Sequence, residues 1–433
     1  MMDVGFTIVD NGLFTELAVR LARETSKPVN IHTPWADEFP LIEDRAVGSG
    51  LEDEGVHWVE DPYVDEVFDA TDVYAYPDIF YAGERRLVER AGKPVFGSGT
   101  GDALETRRIW FRRLQEELGM PVPEYHIAEG WTELDAYLKA NDEHCFIKTT
   151  SKIRGTMETH EFFDYEQDQY WLWNLRCKLG AAFDDVQFMI EKPVESPFET
   201  GLDTISIDGQ TWKTPMQGIE VKGKLMLSSA QRNSPTPKPL DDALTILAEE
   251  PKRRWYRNFL SAEFRQDMLT DLCARAPNPG LGCEMEMISN IAEMIYHGAH
   301  GEVIEPVFEA EYGIQVAVFH DHDKELWKQF RIDPEVRRFF KLMEFCKKGD
   351  LYQIIPRPPH GEKIGWLIGI GDTIQEASDH VHDVAEQFKN YPFDIKLDAL
   401  PEAVKQAAAM EEQGMEFSAD PLPTPEEVTQ EDT

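Results

Sequence analysis

Glu263 and Asp271 lie in Phe259-Leu-Ser-Ala-Glu263-Phe-Arg-Gln-Asp-Met-Leu-Thr-Asp271-Leu-Cys273-Ala-Arg275, a stretch that reads as a β-hairpin. A three-residue turn at Gln266–Met268 would set Glu263 directly opposite Asp271. It would also place Asp271, Cys273 and Arg275 on one face, because side chains alternate along a strand. Like charges opposed across a sheet destabilise it unless something compensates them. A hard divalent cation such as Mg²⁺, held by one or two carboxylates and by substrate phosphates, is a natural compensation. The plainer alternative is a surface hairpin with solvated acids and Arg275 as a local counter-charge.

Other residues invite phosphate chemistry. Lys148 ends the strand predicted at Cys145–Lys148 and opens the polar loop Thr149–Thr156, which contains Lys152, Arg154 and Gly155. Backbone N–H groups of such a loop can wrap an anion while the lysine supplies a point charge. A strand-end lysine also commonly just reaches into water. Arg107 and Arg108 sit on a predicted helix, where two adjacent arginines cannot both face one ligand. Glu191, in Phe188-Met-Ile-Glu-Lys-Pro, ends a strand and enters a Pro-stiffened hinge that can offer backbone groups to an adenine edge and a carboxylate to ribose. Glu199 and Asp203 flank Gly201 just beyond. His320-Asp-His322-Asp323 reads as a polar turn in preference to a metal site.

These residues need elements to position them. Val4–Val9, the Asp10-Asn11-Gly12 turn, the amphipathic run Leu13–Arg23 and Pro28–His32 predict strand, helix, strand. Further strands follow at Asp72–Tyr81 and Pro94–Phe96. Alternating β and α elements imply a mainly parallel sheet. The Asp10–Gly12 turn stands where a Rossmann-type unit places its nucleotide loop, but it has no GxGxxG text. Beyond Gly97 the chain predicts a helix over Ala103–Leu118, a helix at Trp131–Lys139, and a helix near Tyr165–Leu179 before the strand Val186–Ile190. Strands dominate Asp203–Ser229, and a helix covers Glu284–Ile295. Lys363–Ile370 predicts a strand, and Thr373-Ile-Gln-Glu376 a capping box that opens a helix through Phe388. From about Asp398 the chain turns acidic and Pro-containing, which predicts a segment helical at first and then disordered.

Composition narrows the class. The 433 residues are 42% hydrophobic and 11% aromatic, which argues for a folded protein of two or three domains. Lys and Arg number 43 against 81 Asp and Glu, a net charge of −38. That balance opposes a broad nucleic-acid-backbone interface. Any anionic substrate must therefore bind in a local basic pocket. The five cysteines show no CxxC spacing, which points away from a disulfide framework and a zinc site and fits a reducing compartment. No basic segment leads into an apolar core at the N-terminus, and no apolar run approaches the roughly 18 residues that span a bilayer. The expectation is a cytoplasmic protein without a membrane partner.

Taken together, the residues form an ordered series: Pro94–Gly97, Leu104–Arg108, Leu118–Tyr125, Phe146-Ile-Lys148, Ile190-Glu191-Lys-Pro, Glu199–Asp203, Glu220-Val-Lys222, and Glu263 through Arg275. This series resembles the ATP-grasp ligases, and within them the branch of glycinamide ribonucleotide synthetase (phosphoribosylamine–glycine ligase). The resemblance implies α/β and α+β architecture: a Rossmann-like domain over 1–97, a two-lobed ATP-binding core over 98–330 with a small lobe at about 126–192, a C-terminal α+β domain over 331–397, and a tail over 398–433. It implies ATP and Mg²⁺, or Mn²⁺ in its place, with small-molecule carboxylate and amine substrates.

The resemblance also implies roles. Lys148 matches the lysine on the α/β-phosphates, and Arg108 falls where a lysine is usual. Lys152, Arg154 and Gly155 belong to the flap over the triphosphate. Glu191, Lys192 and Val194 form the adenine hinge, Glu199 is the nearby ribose-side acid, and Lys222 is a further nucleotide-binding residue. Glu263 and Asp271 hold the metal, and Arg275 steadies the transferred phosphoryl group. Cys273 stands where an asparagine ligand is common. The chain has no counterpart of the family's Asn-Thr-Gly-Gly-Met-Gly segment, and Asp10-Asn-Gly-Leu replaces its N-terminal glycine-rich loop. Phosphoribosylamine and glycine are therefore unsupported as substrates. Two other classes stay open: a non-catalytic nucleotide-binding relative, and an acidic interaction protein that mimics nucleic acid.

Overall fold

The structure, a computed structural model, describes residues 1–33, 46–150, 159–230, 236–320, 327–354 and 363–429. The chain divides into two compact units. The first comprises Met1–Gly101, Pro197–Ala262 and Cys273–Thr433; the second comprises Asp102–Ser196 and Glu263–Leu272.

The first unit opens with β1 (Phe6–Val9), α1 (Thr15–Glu24), β2 (Val29–His32), β3 (Val56–Trp58), β4 (Val73–Tyr76) and β5 (Val95–Gly97). Their pairings are all parallel, in the order β5-β4-β1-β2-β3. β1 and β4 are buried along their whole length, as strands covered on both faces must be. The predicted parallel sheet is therefore present. The strand expected over Asp72–Tyr81 is shorter, because Pro77 lacks the N–H that a ladder requires.

Antiparallel strands continue this sheet from β5 through Arg257–Arg265, Thr200–Ile207, Met216–Val221, Leu225–Ser229, Tyr312–His320 and Lys363–Gly371. The last two pair from Tyr312↔Gly371 onward. The capping box forms: Thr373 accepts the N–H of Glu376, and Glu376 accepts that of Asp372.

The tail is helical at first, as expected, and apolar residues beyond the helix are buried as well. Leu400–Glu412 is helical, with Leu400, Ala403, Val404, Ala407 and Met410 buried at helical spacing, and Phe417 and Val428 are buried beyond it. Those apolar residues offset the local acidity that predicted disorder. The helix expected over Glu284–Ile295 is two helices, Leu281–Met287 and Ile291–Ala299, separated by Ile288 in an extended conformation.

The second unit is built on a four-stranded antiparallel sheet, β6 (Tyr125–Glu129), β7 (Cys145–Thr149), β8 (Thr159–Phe162) and β9 (Gln187–Glu191), in the order β6-β9-β7-β8. Alternation sorts its side chains. Cys145, Ile147, Phe188 and Ile190 enter a core with Trp131, Leu134, Leu138, Leu172 and Leu175 from two helices. Phe146, Lys148, Met189 and Glu191 face the other way. The helix expected over Ala103–Leu118 is interrupted at Arg107, which has ψ near 61°, and resumes as Arg108–Glu117. Among the described residues no helix is long and apolar enough to cross a membrane.

Candidate functional site

Lys148 and Glu191 meet on the polar face of the second unit's sheet. Lys148 pairs with Met189 in register, so Glu191 is its diagonal neighbour across the two strands. Lys148 Nζ lies 2.9 Å from the Glu191 carboxylate, 3.6 Å from that of Asp271, and donates to the Thr270 carbonyl at 3.2 Å. Lys148 and Glu191 are both buried.

Arg112 completes the cluster. Its guanidinium pairs with Glu191 and donates to the carbonyls of Leu269 and Thr270, at 3.2 and 3.0 Å. Gln115 donates to Leu269 as well. The sequence reading missed Arg112 and chose Arg108. The available signal was spacing: Arg108 and Arg112 are one helical turn apart and share a face. Arg108 itself reaches Thr159, 2.7 Å away.

The hairpin carrying Asp271 differs from the predicted one. Its strands end at Arg265 and restart at Met268, so the turn is the pair Gln266–Asp267, with Gln266 at φ 56°. Two-residue turns of this sort need a left-handed residue, and neither Gln nor Asp advertises one as Asn-Gly would. Thr270, and not Asp271, bonds across to Glu263: its hydroxyl donates to the Glu263 carbonyl at 3.1 Å. Leu269 and Leu272 are buried while both Thr270 and Asp271 are half-exposed, so strict alternation is broken, as a bulge would break it.

Burial would raise the Asp271 carboxyl. The Lys148, Arg108 and Arg112 cations and the Leu272 N–H override that effect and hold it at about 2. A carboxylate kept ionised in this way meets the first requirement of a hard-cation ligand. No group of three or more His, Cys, Asp or Glu suited to a metal occurs among the described residues, so any cation here needs oxygens from its substrate as well.

The other predicted residues are distributed as follows. Lys192 pairs with Glu124 at 2.9 Å on the surface of the second unit, next to Glu191 in the chain. Val194 follows in the same coil. Glu199 and Lys222 meet in the first unit at 2.5 Å, and Lys222 also reaches Glu220. Arg275 lies in the first unit, 3.6 Å from Asp78. Lys152, Arg154 and Gly155 lie outside the described residues, as do His322 and Asp323.

The first unit also holds a buried acid pair that the sequence reading did not find. Asp203 and Glu284 are both buried and act on each other electrostatically. Burial pushes Asp203 up to about 6, and burial together with the Asp203 charge pushes Glu284 well above its ordinary value. Groups with raised folded-state values stabilise the fold fully below the ordinary carboxyl range, and that contribution fades as pH rises through the folded values. Glu284→Gln takes one of the two charges away at every pH. It is expected to unfold at higher temperature than wild type at pH 8, by roughly 2 kcal/mol of stability. Near pH 5 the two should coincide. Calorimetric melting at both pH values checks this.

No family model and no curated protein matches the chain. Solved structures do. Phosphoribosylamine–glycine ligase from Thermotoga maritima is 15% identical over 91% of this chain and 98% of its own, with a TM-score of 0.62. The biotin carboxylase domain of 2-oxoglutarate carboxylase from Hydrogenobacter thermophilus is 15% identical over 97% of this chain and 100% of its own, at 0.63. N5-carboxyaminoimidazole ribonucleotide synthetase from Thermus thermophilus is 14% identical over 88% and 98%, at 0.57. At these identities the likeness is one of fold.

Proposed function

We propose that the chain, which has the ATP-grasp fold, is an ATP-dependent ligase joining a carboxylate to an amine through an acyl phosphate. The observation that supports this most is the Lys148–Glu191–Arg112–Asp271 cluster, a fixed ammonium on the polar face of the second unit's sheet with the ionised Asp271 carboxylate 3.6 Å from it on the hairpin. The biotin carboxylase domain of like fold was solved with MgADP and bicarbonate, a nucleotide and a carboxylate-like anion.

A carboxylate is a poor electrophile because it cannot expel oxide. In the proposed reaction its oxygen attacks the γ-phosphorus of ATP and ADP leaves. The amine nitrogen then attacks the acyl carbon, phosphate leaves with the former carboxylate oxygen, and the nitrogen gives up a proton. Lys148 would hold the α/β-phosphates and Arg275 the moving phosphoryl group. Asp271, with Glu263 as the second carboxylate, would hold Mg²⁺ or Mn²⁺, whose chemistry is to neutralise phosphate charge. Arg108 and the Lys152–Arg154–Gly155 loop would add positive charge over the triphosphate. Glu191, Lys192 and Val194 would take the adenine, and Glu199 and Lys222 the ribose side.

The test is Mg²⁺-dependent release of ADP and phosphate from ATP with pooled carboxylates and amines, read by mass spectrometry. ADP with a condensed product supports the ligase. AMP and pyrophosphate would mean adenylation and sink the acyl-phosphate route. ATP binding without turnover would favour a nucleotide-binding module instead. Lys148→Met is expected to weaken MgATP binding at least about tenfold by calorimetry; unchanged affinity would remove Lys148 from the phosphate site.

A further inference from the structure

The first βα turn is where an α/β sheet of this kind offers N–H groups and a helix N-terminus to a phosphate. Here the chain supplies the anion itself. Asp10 follows β1, and its Oδ2 accepts the N–H groups of Gly12 at 2.9 Å and Phe14 at 2.7 Å. Gly12 has φ 110°, and a Cβ there would come within 3.0 Å of the Val47 side chain, so the approach over the glycine is filled too. A phosphate would have to displace both a carboxylate and a valine.

The same turn borders the sheet's reversal point. The chain runs outward from β1 to β2 and β3, then returns to β4 on the other side of β1. Ligands of open α/β sheets bind at such a reversal, beyond the carboxyl ends of the strands. The two strand ends here carry Asp10 and, after Tyr76-Pro77, Asp78. The segment bearing Arg275 is tied to the same place by a bond from the Ala276 N–H to the Pro77 carbonyl, at 2.9 Å. Arg275 lies 3.6 Å from Asp78. Asp10 is fully buried, and its Oδ1 has no hydrogen-bond partner. An orphaned buried carboxylate oxygen is costly unless a ligand satisfies it.

We infer that the carboxyl ends of β1 and β4 bind a cationic amino group of the acceptor substrate, with Asp10 Oδ1 and Asp78 as its counter-charges, and are not a phosphate site. The role of acceptor site rests on the ligase reading; the preference for a cation over a phosphate does not. Burial and the Asp78 charge push Asp10 up to about 7, a strain that a bound ammonium would relieve. Burial and the same two carboxylates also raise the Tyr81 hydroxyl above its ordinary value.

Asp10→Asn separates the two duties of the side chain. Its amide oxygen still accepts from Gly12 and Phe14, while the orphaned oxygen becomes an NH₂ group that repels a cation. The full chain is melted in the presence of glycinamide, ethanolamine, putrescine and lysine, then of inorganic phosphate, ribose 5-phosphate and glucose 6-phosphate, and separately of MgATP. At least one amine is expected to raise the melting temperature of wild type, and Asp10→Asn to need at least tenfold more of it. The MgATP shift should be equal in both proteins.

Stabilisation by the phosphorylated compounds in place of amines would overturn the proposal. So would an amine shift that survives Asp10→Asn unchanged, or the lack of any amine shift in wild type. A missing MgATP shift alongside an Asp10-dependent amine shift would count against the ligase and leave the amine site standing. Should Asp10→Asn melt well below wild type without ligand, Asp78→Asn provides the same comparison while leaving the β1 turn intact.

Discussion

Asp271→Asn is expected to lower ATP turnover by roughly 1,000-fold, the scale seen when one preorganised electrostatic group is lost from a phosphoryl-transfer site. The carboxylate at this position is held at about 2 by Lys148, Arg108 and Arg112 against the effect of burial. A group with a depressed folded-state value contributes stability above the ordinary carboxyl range and loses it as pH falls from about 4 toward 2. That depression corresponds to about 2 kcal/mol at neutral pH, so the variant should be folded but measurably less stable. Lys148 retains Glu191 as a partner, which limits the damage. Steady-state ADP release and a urea titration, run on the same preparation, separate the two effects. Full activity in a folded Asp271→Asn protein would remove this residue from the mechanism.

Arg112→Met should produce the largest loss of stability, about 3–5 kcal/mol. The substitution leaves the buried Glu191 with a single cation and takes donors from the Leu269 and Thr270 carbonyls. Lysine should rescue little, because a point ammonium cannot fork across a carboxylate and two carbonyls at once. Adding Glu191→Gln to Arg112→Met removes the stranded charge and is expected to recover part of the loss. Denaturant unfolding of the single and double variants measures the coupling. Simple additivity would mean that the two side chains do not depend on each other.

Much of this site is visible in the sequence, and the parts that are not share a cause. Lys148 and Glu191 announce themselves because each ends an apolar strand, and strand alternation alone puts them on the same side. Arg112 does not, because an arginine on an amphipathic helix reads as solvent-facing until the hairpin that buries it is in place. Asp203 and Glu284 are likewise acceptable surface acids until Thr200–Ile207 and Leu281–Met287 pack. The parallel sheet was legible from its alternating elements, whereas the hairpin register hung on one left-handed glutamine. The first helix of the tail was expected, whereas the burial of Phe417 and Val428 beyond it was not, because two isolated apolar residues in an acidic stretch carry no periodic signal.

The second unit's chain is interrupted. Arg112 finds the Leu269 carbonyl 157 residues later in the sequence. A ribosome adding about 5–20 residues per second needs on the order of ten seconds or more to make that stretch. Through that interval a guanidinium destined for burial has Glu191 within reach only after β9 emerges, and has no carbonyl of Leu269 or Thr270 at all. The emerging sheet must therefore remain hydrated on its charged face, open to chaperones and proteases, until translation delivers the hairpin that closes it. A nascent chain stalled after Ala262 should be nicked in the second unit at protease concentrations that leave the finished protein whole.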